Sequence, residues 1–268
     1  MTGFTCEFLT HSLGQNQADS GNEYLHINWT QPQAINVDFD PALYDTDDQS
    51  LGRDHAQIHS GRGTVQSFSY QDVPLLLKQY RRGGMIRFVS QDQYIWRGFE
   101  RTRAVRELRL LANLYSQGLP VPRPVGCRIQ RHQSGQSLSL PALYRAYLLS
   151  EFLPDCHGLD QRLKNASDSG PDTISWQNIG QCLARFRRAG VFHADLNLSN
   201  ILTDSSGNNY LIDFDRGRLM PHGSARYNRF ASRMLQRLFR SMDKQETSHV
   251  ECRVSKADRG LLSDAFWG

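Results

Sequence analysis

A chain of 268 residues, 39% of them hydrophobic, is long enough for one two-lobed enzyme or two small domains and can bury a core. No run of 18 apolar residues occurs, which excludes a bilayer-spanning helix, and no charged-then-apolar N-terminus signals export. The net charge is +4, yet residues 1–50 hold eight Asp/Glu and no Lys or Arg, so residues 51–268 carry +12. Such a basic body points to an anionic partner: a nucleotide, a nucleic acid or a membrane surface. Cys6, Cys127, Cys156, Cys182 and Cys252 are scattered, odd in number and without metal-ligand spacing, and read as reduced thiols of a cytosolic protein.

Residues 1–20 are polar, which predicts a mobile start. Tyr24 to Trp29 and Ile35 to Phe39 read as short ordered pieces, and Asp45, Asp47 and Asp48 as a solvated linker. From Gly61 the pattern turns to strands. Gly61-Arg-Gly63 is a glycine turn whose backbone N–H groups can approach phosphates. Val65 to Tyr70 and Val73 to Leu77 form a hairpin that delivers Lys78, a candidate for the nucleotide phosphates. Glu100 to Gln117 reads as a helix, with Val105, Leu108, Ala112 and Tyr115 at helical spacing and Gly118 and Pro120 ending it. On it, Glu107 borders the apolar face and is placed to pair with Lys78, while Glu100 reads as a first-turn dipole residue.

Strands are expected near Val125 to Ile129 and Tyr144 to Leu149, the second running into a hinge at Glu151-Phe-Leu-Pro154 whose backbone could meet adenine. After polar residues 164–172, a helix from Ser175 places Trp176, Ile179, Leu183 and Phe186 on one core face and stops at Gly190.

That helix leads into His-Ala-Asp-Leu-Asn-Leu-Ser-Asn-Ile-Leu from His193, followed by Leu-Ile-Asp-Phe-Asp-Arg ending at Arg216. The pattern is loop, apolar strand, turn at Gly207 and second apolar strand. A hairpin of that length brings Asn200 and Asp213 side by side, two oxygen ligands suited to Mg²⁺, which leaves its remaining positions to phosphate and water. Asp195, one loop away, is placed to take a proton from an attacking hydroxyl. His193 reads as structural support. These are the parts of the phosphoryl-transfer site of kinase-like folds.

The residues from His193 to Arg218, with Tyr80-Arg-Arg-Gly-Gly84 and Trp96-x-Gly-Phe-Glu100-x-Thr-Arg103, resemble the lipopolysaccharide kinase family over about residues 50–240. The resemblance implies an α+β, two-lobed protein-kinase-like fold: a 1–50 acidic N-terminal extension, a small β-rich N-lobe over 51–152 and a mainly helical C-lobe over 153–268. It implies ATP-dependent phosphorylation of the 4-hydroxyl of 3-deoxy-D-manno-octulosonic acid (Kdo) on a Kdo-lipid A precursor (Kdo-lipid IVA), by a peripheral protein at the cytoplasmic face of the bacterial inner membrane. Carried over residue by residue, Asp195 is the catalytic base, Asn200 and Asp213 hold Mg²⁺, and Lys78 with Glu107 holds the ATP phosphates. Three positions depart from protein kinases. Ala194 replaces an arginine that answers activation-loop phosphate, Asn197 replaces a lysine that touches the γ-phosphate, and Asp215 replaces the glycine of the metal-binding triplet. Asp215 is expected either to pair with Arg216 or Arg218 or to support the metal.

Residues 76–109 hold nine Lys/Arg against three acids. Among them Arg81 and Arg82 are expected to meet the Kdo carboxylate or a lipid A phosphate, since arginine suits bidentate oxyanion contacts. Arg226, Arg229, Arg233, Arg237 and Arg240 line one side of a basic amphipathic helix beside Phe230, Met234 and Leu238, either as a solvated face or for docking on an anionic membrane surface. A heptose kinase, an atypical protein kinase and a pseudokinase scaffold are the alternatives. The short run after Asp213 disfavours a peptide acceptor, the complete site disfavours the scaffold, and no basic groove with stacking aromatics supports nucleic-acid binding.

Overall fold

The computed structural model describes residues 6–13, 21–30, 36–46, 64–81, 92–132, 142–169, 174–221, 225–248 and 254–268. The chain divides into two compact units, 1–118 with 123–153 and 119–122 with 154–268.

The first unit is a seven-stranded sheet, antiparallel throughout. Its strands are β1 (Cys6–Leu13), β2 (Asn22–Trp29), β3 (Thr64–Tyr70), β4 (Val73–Gln79), β5 (Tyr94–Ile95), β6 (Pro124–His132) and β7 (Leu143–Glu151). They run in the order β1-β2-β6-β7-β4-β3, with β5 also on β7. The β3–β4 hairpin turns at Gln71 and Asp72, both at positive φ, the two-residue turn whose twist matches that of its strands.

An acidic extension separate from the sheet is not what forms. β1 and β2 are strands of this sheet, so the expected boundary at residue 50 and the expected mobility of residues 6–13 are both corrected. Val37, Leu43 and Tyr44 bury themselves in one core with Tyr24, Phe68, Leu75, Leu77 and Leu149. Asp40 accepts a hydrogen bond from the Ala42 amide and so starts the short 3₁₀ turn Pro41–Tyr44. Asp40 therefore serves local backbone while the apolar residues of this stretch join the core. Asp47 and Asp48 lie outside the described residues.

Alternation along β4 buries Val73, Leu75 and Leu77, so Lys78 leaves the sheet on the opposite face from Leu77. There α1 (Arg103–Ser116) packs against β6 and β7. It starts later than the sequence predicts. Phe99–Arg101 is a separate 3₁₀ turn, and Glu100 answers Arg109 through two hydrogen bonds of 2.7 and 2.9 Å rather than sitting in the first turn of α1.

The second unit is mainly helical. It holds β8 (His157–Gly158), α2 (Leu159–Ser169), α3 (Trp176–Arg188), β9 (Val191–Phe192), β10 (Ile201–Thr203), β11 (Asn209–Leu211), β12 (Arg218–Leu219), α4 (Ala225–Ser248) and α5 (Lys256–Trp267). The Ser175 hydroxyl caps α3 by accepting from the Asn178 amide, and Trp176, Ile179, Leu183 and Phe186 are buried as their spacing predicts. α3 crosses α5 at Gly180, where a Cβ would stand 2.5 Å from the Leu262 carbonyl oxygen; only glycine permits that approach. α2 covers part of the stretch read as polar connection, because Leu159 and Leu163 supply an i,i+4 buried pair. No helix among the described residues is long and apolar enough to cross a membrane. The described cysteines, Cys6, Cys127, Cys156 and Cys182, are free thiols.

Candidate active site

In the first unit the expected pair forms. Lys78 Nζ lies 3.2 and 3.3 Å from the two carboxylate oxygens of Glu107. Glu107 is 2% exposed and Lys78 20%, so the carboxylate is the anchored partner and the ammonium faces outward. A buried carboxylate needs further hydrogen bonding to hold its charge, and the Tyr80 hydroxyl supplies it by donating to Glu107. The Tyr80 ring also lies under Lys78, 4.8 Å from Nζ to centroid. Tyr80 stands two residues after Lys78, and that spacing is its signal in the sequence, since i and i+2 share a strand face. Arg103, one turn before Glu107, donates to the Tyr94 hydroxyl at 2.8 Å. Arg81 is exposed, whereas Gly61, Gly63 and Arg82 lie outside the described residues.

In the second unit the loop from His193 to Asn200 is built around its own polar groups. His193 is buried. Its Nδ1 accepts from the Asp195 amide at 3.3 Å, which leaves the proton on Nε2 to be donated to the Ile212 carbonyl at 2.9 Å. The ring thus joins the loop to the strand that precedes Asp213, a supporting role. Asn197 caps the 3₁₀ turn Leu198–Asn200: its Oδ1 accepts from the Asn200 amide and the Ser199 hydroxyl, and its Nδ2 donates to the Asp195 carbonyl. Where a lysine would reach toward phosphate, this residue shapes the loop instead.

Asn200 is 3% exposed. Its Nδ2 donates to the Asp195 carbonyl oxygen at 2.8 Å, so its Oδ1 is the atom left to act as a ligand. The Ile212 amide donates to the Asn200 carbonyl at 3.1 Å, and β10 pairs with β11 with Ile201 opposite Leu211. The hairpin therefore places Asp213 one residue past the position facing Asn200, as the spacing predicts. Asp213 has φ +64°, a left-handed conformation rare outside glycine, and such strain gathers at sites where a side chain must be aimed. Asp195 is exposed, with no hydrogen-bond or ion-pair partner for its carboxylate among the described residues. No group of three His, Cys, Asp or Glu among the described residues could hold a metal. Asn200 and Asp213 together offer two oxygen donors, a number that would suit a cation whose remaining ligands are phosphate and water.

These elements describe a kinase, and the sequence comparisons agree. A sequence model of the Lipopolysaccharide kinase (Kdo/WaaP) family matches residues 53–259, and the chain belongs to that family. It is accordingly a phosphotransferase with an alcohol group as acceptor. Among its relatives, the 3-deoxy-D-manno-octulosonic acid kinase of Xanthomonas campestris pv. campestris (strain B100) is 44% identical over 205 residues, 74% of this chain and 76% of the relative. The enzyme of the same name from Xylella fastidiosa (strain 9a5c) is 39% identical over 191 residues, 71% of this chain and 70% of the relative. A chain in the crystal structure of the yeast RNA Pol II CTD kinase CTDK-1 complex overlaps 62% of this chain and 46% of its own at 18% identity and a TM-score of 0.39.

Proposed function

We propose that this protein transfers the terminal phosphate of ATP to the 4-hydroxyl of Kdo on a Kdo-lipid A precursor, Kdo-lipid IVA, during lipopolysaccharide synthesis. The observation that carries the reading is the loop of the second unit: an unpartnered Asp195 carboxylate, and an Asn200 whose free oxygen neighbours Asp213. Asp195 orients the acceptor hydroxyl and takes its proton as the bond to phosphorus forms. Asn200 Oδ1 and Asp213 hold Mg²⁺, which when bound offsets phosphate charge. Lys78, kept outward by Glu107 and Tyr80, binds the nucleotide phosphates. Arg81, with Arg82, binds an acceptor oxyanion.

The same reading makes the protein peripheral at the cytoplasmic face of the inner membrane, where its acceptor lies. Arg229 and Arg240 of α4 are exposed and serve an anionic lipid surface. At about 1 kcal/mol per arginine near such a surface, they support only a reversible attachment.

The test is ATP turnover in parallel with Kdo-lipid, a heptosylated core acceptor and a generic protein, with mass analysis of the product. Phosphate on Kdo with the first acceptor alone is expected. Phosphate appearing only on heptose or on the protein overturns the reading. Vesicle flotation that ignores anionic lipid content overturns the membrane part.

A further inference from the structure

Four guanidinium groups of the second unit converge on two aromatic rings. Arg218 lies 5.1 Å from the centroid of Phe192 and 5.2 Å from that of Phe230. Arg237 stands 5.8 Å from Phe192, and Arg226 and Arg233 stand 5.9 and 5.6 Å from Phe230. The two rings meet edge to face at 5.1 Å. Topology makes the cluster: the β9–β12 ladder sets Arg218 opposite Phe192, and one side of α4 supplies the other three arginines.

None of the four has a carboxylate within ion-pairing distance among the described residues, and Arg237 Nη1 is buried with no hydrogen-bond partner. Ring contacts are worth roughly 0.5–1 kcal/mol each at exposed sites, and like charges brought this close repel on the same scale. The arrangement gathers several fork-shaped donor sets around two rings without a described carboxylate partner, and arginine forks match phosphate and carboxylate.

The cluster is also tied to the catalytic loop. Phe192 precedes Asp195 by three residues, so their Cα atoms are at most about 11 Å apart. The His193 amide bonds Met234 Sδ of α4, and the Leu198 amide bonds Ser241 Oγ of the same helix. A group seated on the arginines and a hydroxyl at Asp195 can belong to one molecule of sugar size.

We propose that Arg218, Arg226, Arg233 and Arg237 form a subsite for an oxyanion, phosphate or carboxylate, carried by the acceptor, which seats its hydroxyl at Asp195. The proposal rests on the sugar-kinase reading. It assigns three arginines of the α4 stripe to substrate rather than to the bilayer.

The test is the double variant R226Q/R233Q in the full chain, since both side chains are exposed, with its melting temperature measured beside the parent's. Binding of Kdo-lipid in neutral-detergent micelles is measured by calorimetry, beside steady-state turnover. Affinity is expected to fall about tenfold or more, each lost charge-assisted contact being worth roughly 1.5–3 kcal/mol, and KM for the acceptor to rise alike. The kcat and the KM for ATP change less than twofold. Dephosphorylated Kdo-lipid and free Kdo separate the two sources: a variant defect confined to phosphorylated acceptor assigns phosphate, and a defect that persists on free Kdo assigns carboxylate. Unchanged micelle binding in the variant overturns the subsite, also when flotation on anionic phospholipid vesicles is lost. Wild-type binding without turnover overturns the sugar-kinase reading and leaves the subsite judged by the variant's affinity.

Discussion

The two units treat charge in opposite ways. In the first, Lys78 is answered within the protein, by a buried Glu107 that Tyr80 also serves. In the second, the Asp195 carboxylate and the four ring-stacked arginines are left unanswered by any described residue. The first arrangement holds its cation with the protein's own groups; the second does not. Substitutions should therefore uncouple stability from activity in one unit and couple them in the other.

The largest effect is expected at Asp195. Asp195→Asn should lower turnover about 100-fold or more, in the range for acid–base groups, while the melting temperature stays within a degree or so, because the carboxylate has no internal partner. Near-normal turnover, or a large loss of stability, would contradict the assigned role. Glu107→Gln should instead reduce both. It leaves the Lys78 ammonium without its counter-charge beside a buried amide, and breaking a buried pair costs about 3–5 kcal/mol. With Lys78 able to reach solvent, about 2 kcal/mol is expected by urea titration, together with a raised KM for ATP. A variant as stable as the parent would show that the pair does not organise its unit.

A third measurement concerns a group that burial keeps neutral. Burial pushes the Cys182 thiol up to about 12 from the ordinary 9.0. The unfolded chain loses this proton first, so the stabilising contribution is complete below pH 9 and is lost as pH rises toward the folded-state value. Melting temperature should fall between pH 9 and 11, and Cys182→Ala should flatten part of that slope. An unchanged slope would remove the thiol as its source. The smallest effect belongs to the exposed Glu100–Arg109 pair, at 62% and 41% side-chain exposure. Arg109→Ala should change stability by about 0.5 kcal/mol or less, as solvent-screened pairs do. A larger loss in the same titration would place that pair in the class of Lys78–Glu107.

The local sequence was most legible where one period ran uninterrupted. The β3–β4 hairpin, α3 with its Ser175 cap, and the spacing that returns Asp213 to Asn200 all follow from residues near one another in the chain. It was least legible where polar residues and apolar ones share a segment. β1 carries Thr10, His11 and Ser12 beside Phe8 and Leu9, and it becomes a strand because β2 offers eight paired positions. Asn197 reads as a missing lysine until its amide is seen bonded on both sides of the loop.

Sequence alone determined that Asp195, Asn200 and Asp213 share one short loop and hairpin, because that geometry is local. It also determined that Lys78 and Glu107 occupy a strand end and a helix. Tertiary structure decided that the acidic N-terminal stretch joins the sheet, since burying Val37, Leu43 and Tyr44 outweighs leaving their neighbouring acids fully solvated. It decided, too, that arginines from β12 and α4 gather on Phe192 and Phe230, because only packing brings residues 192, 218 and 237 to one place.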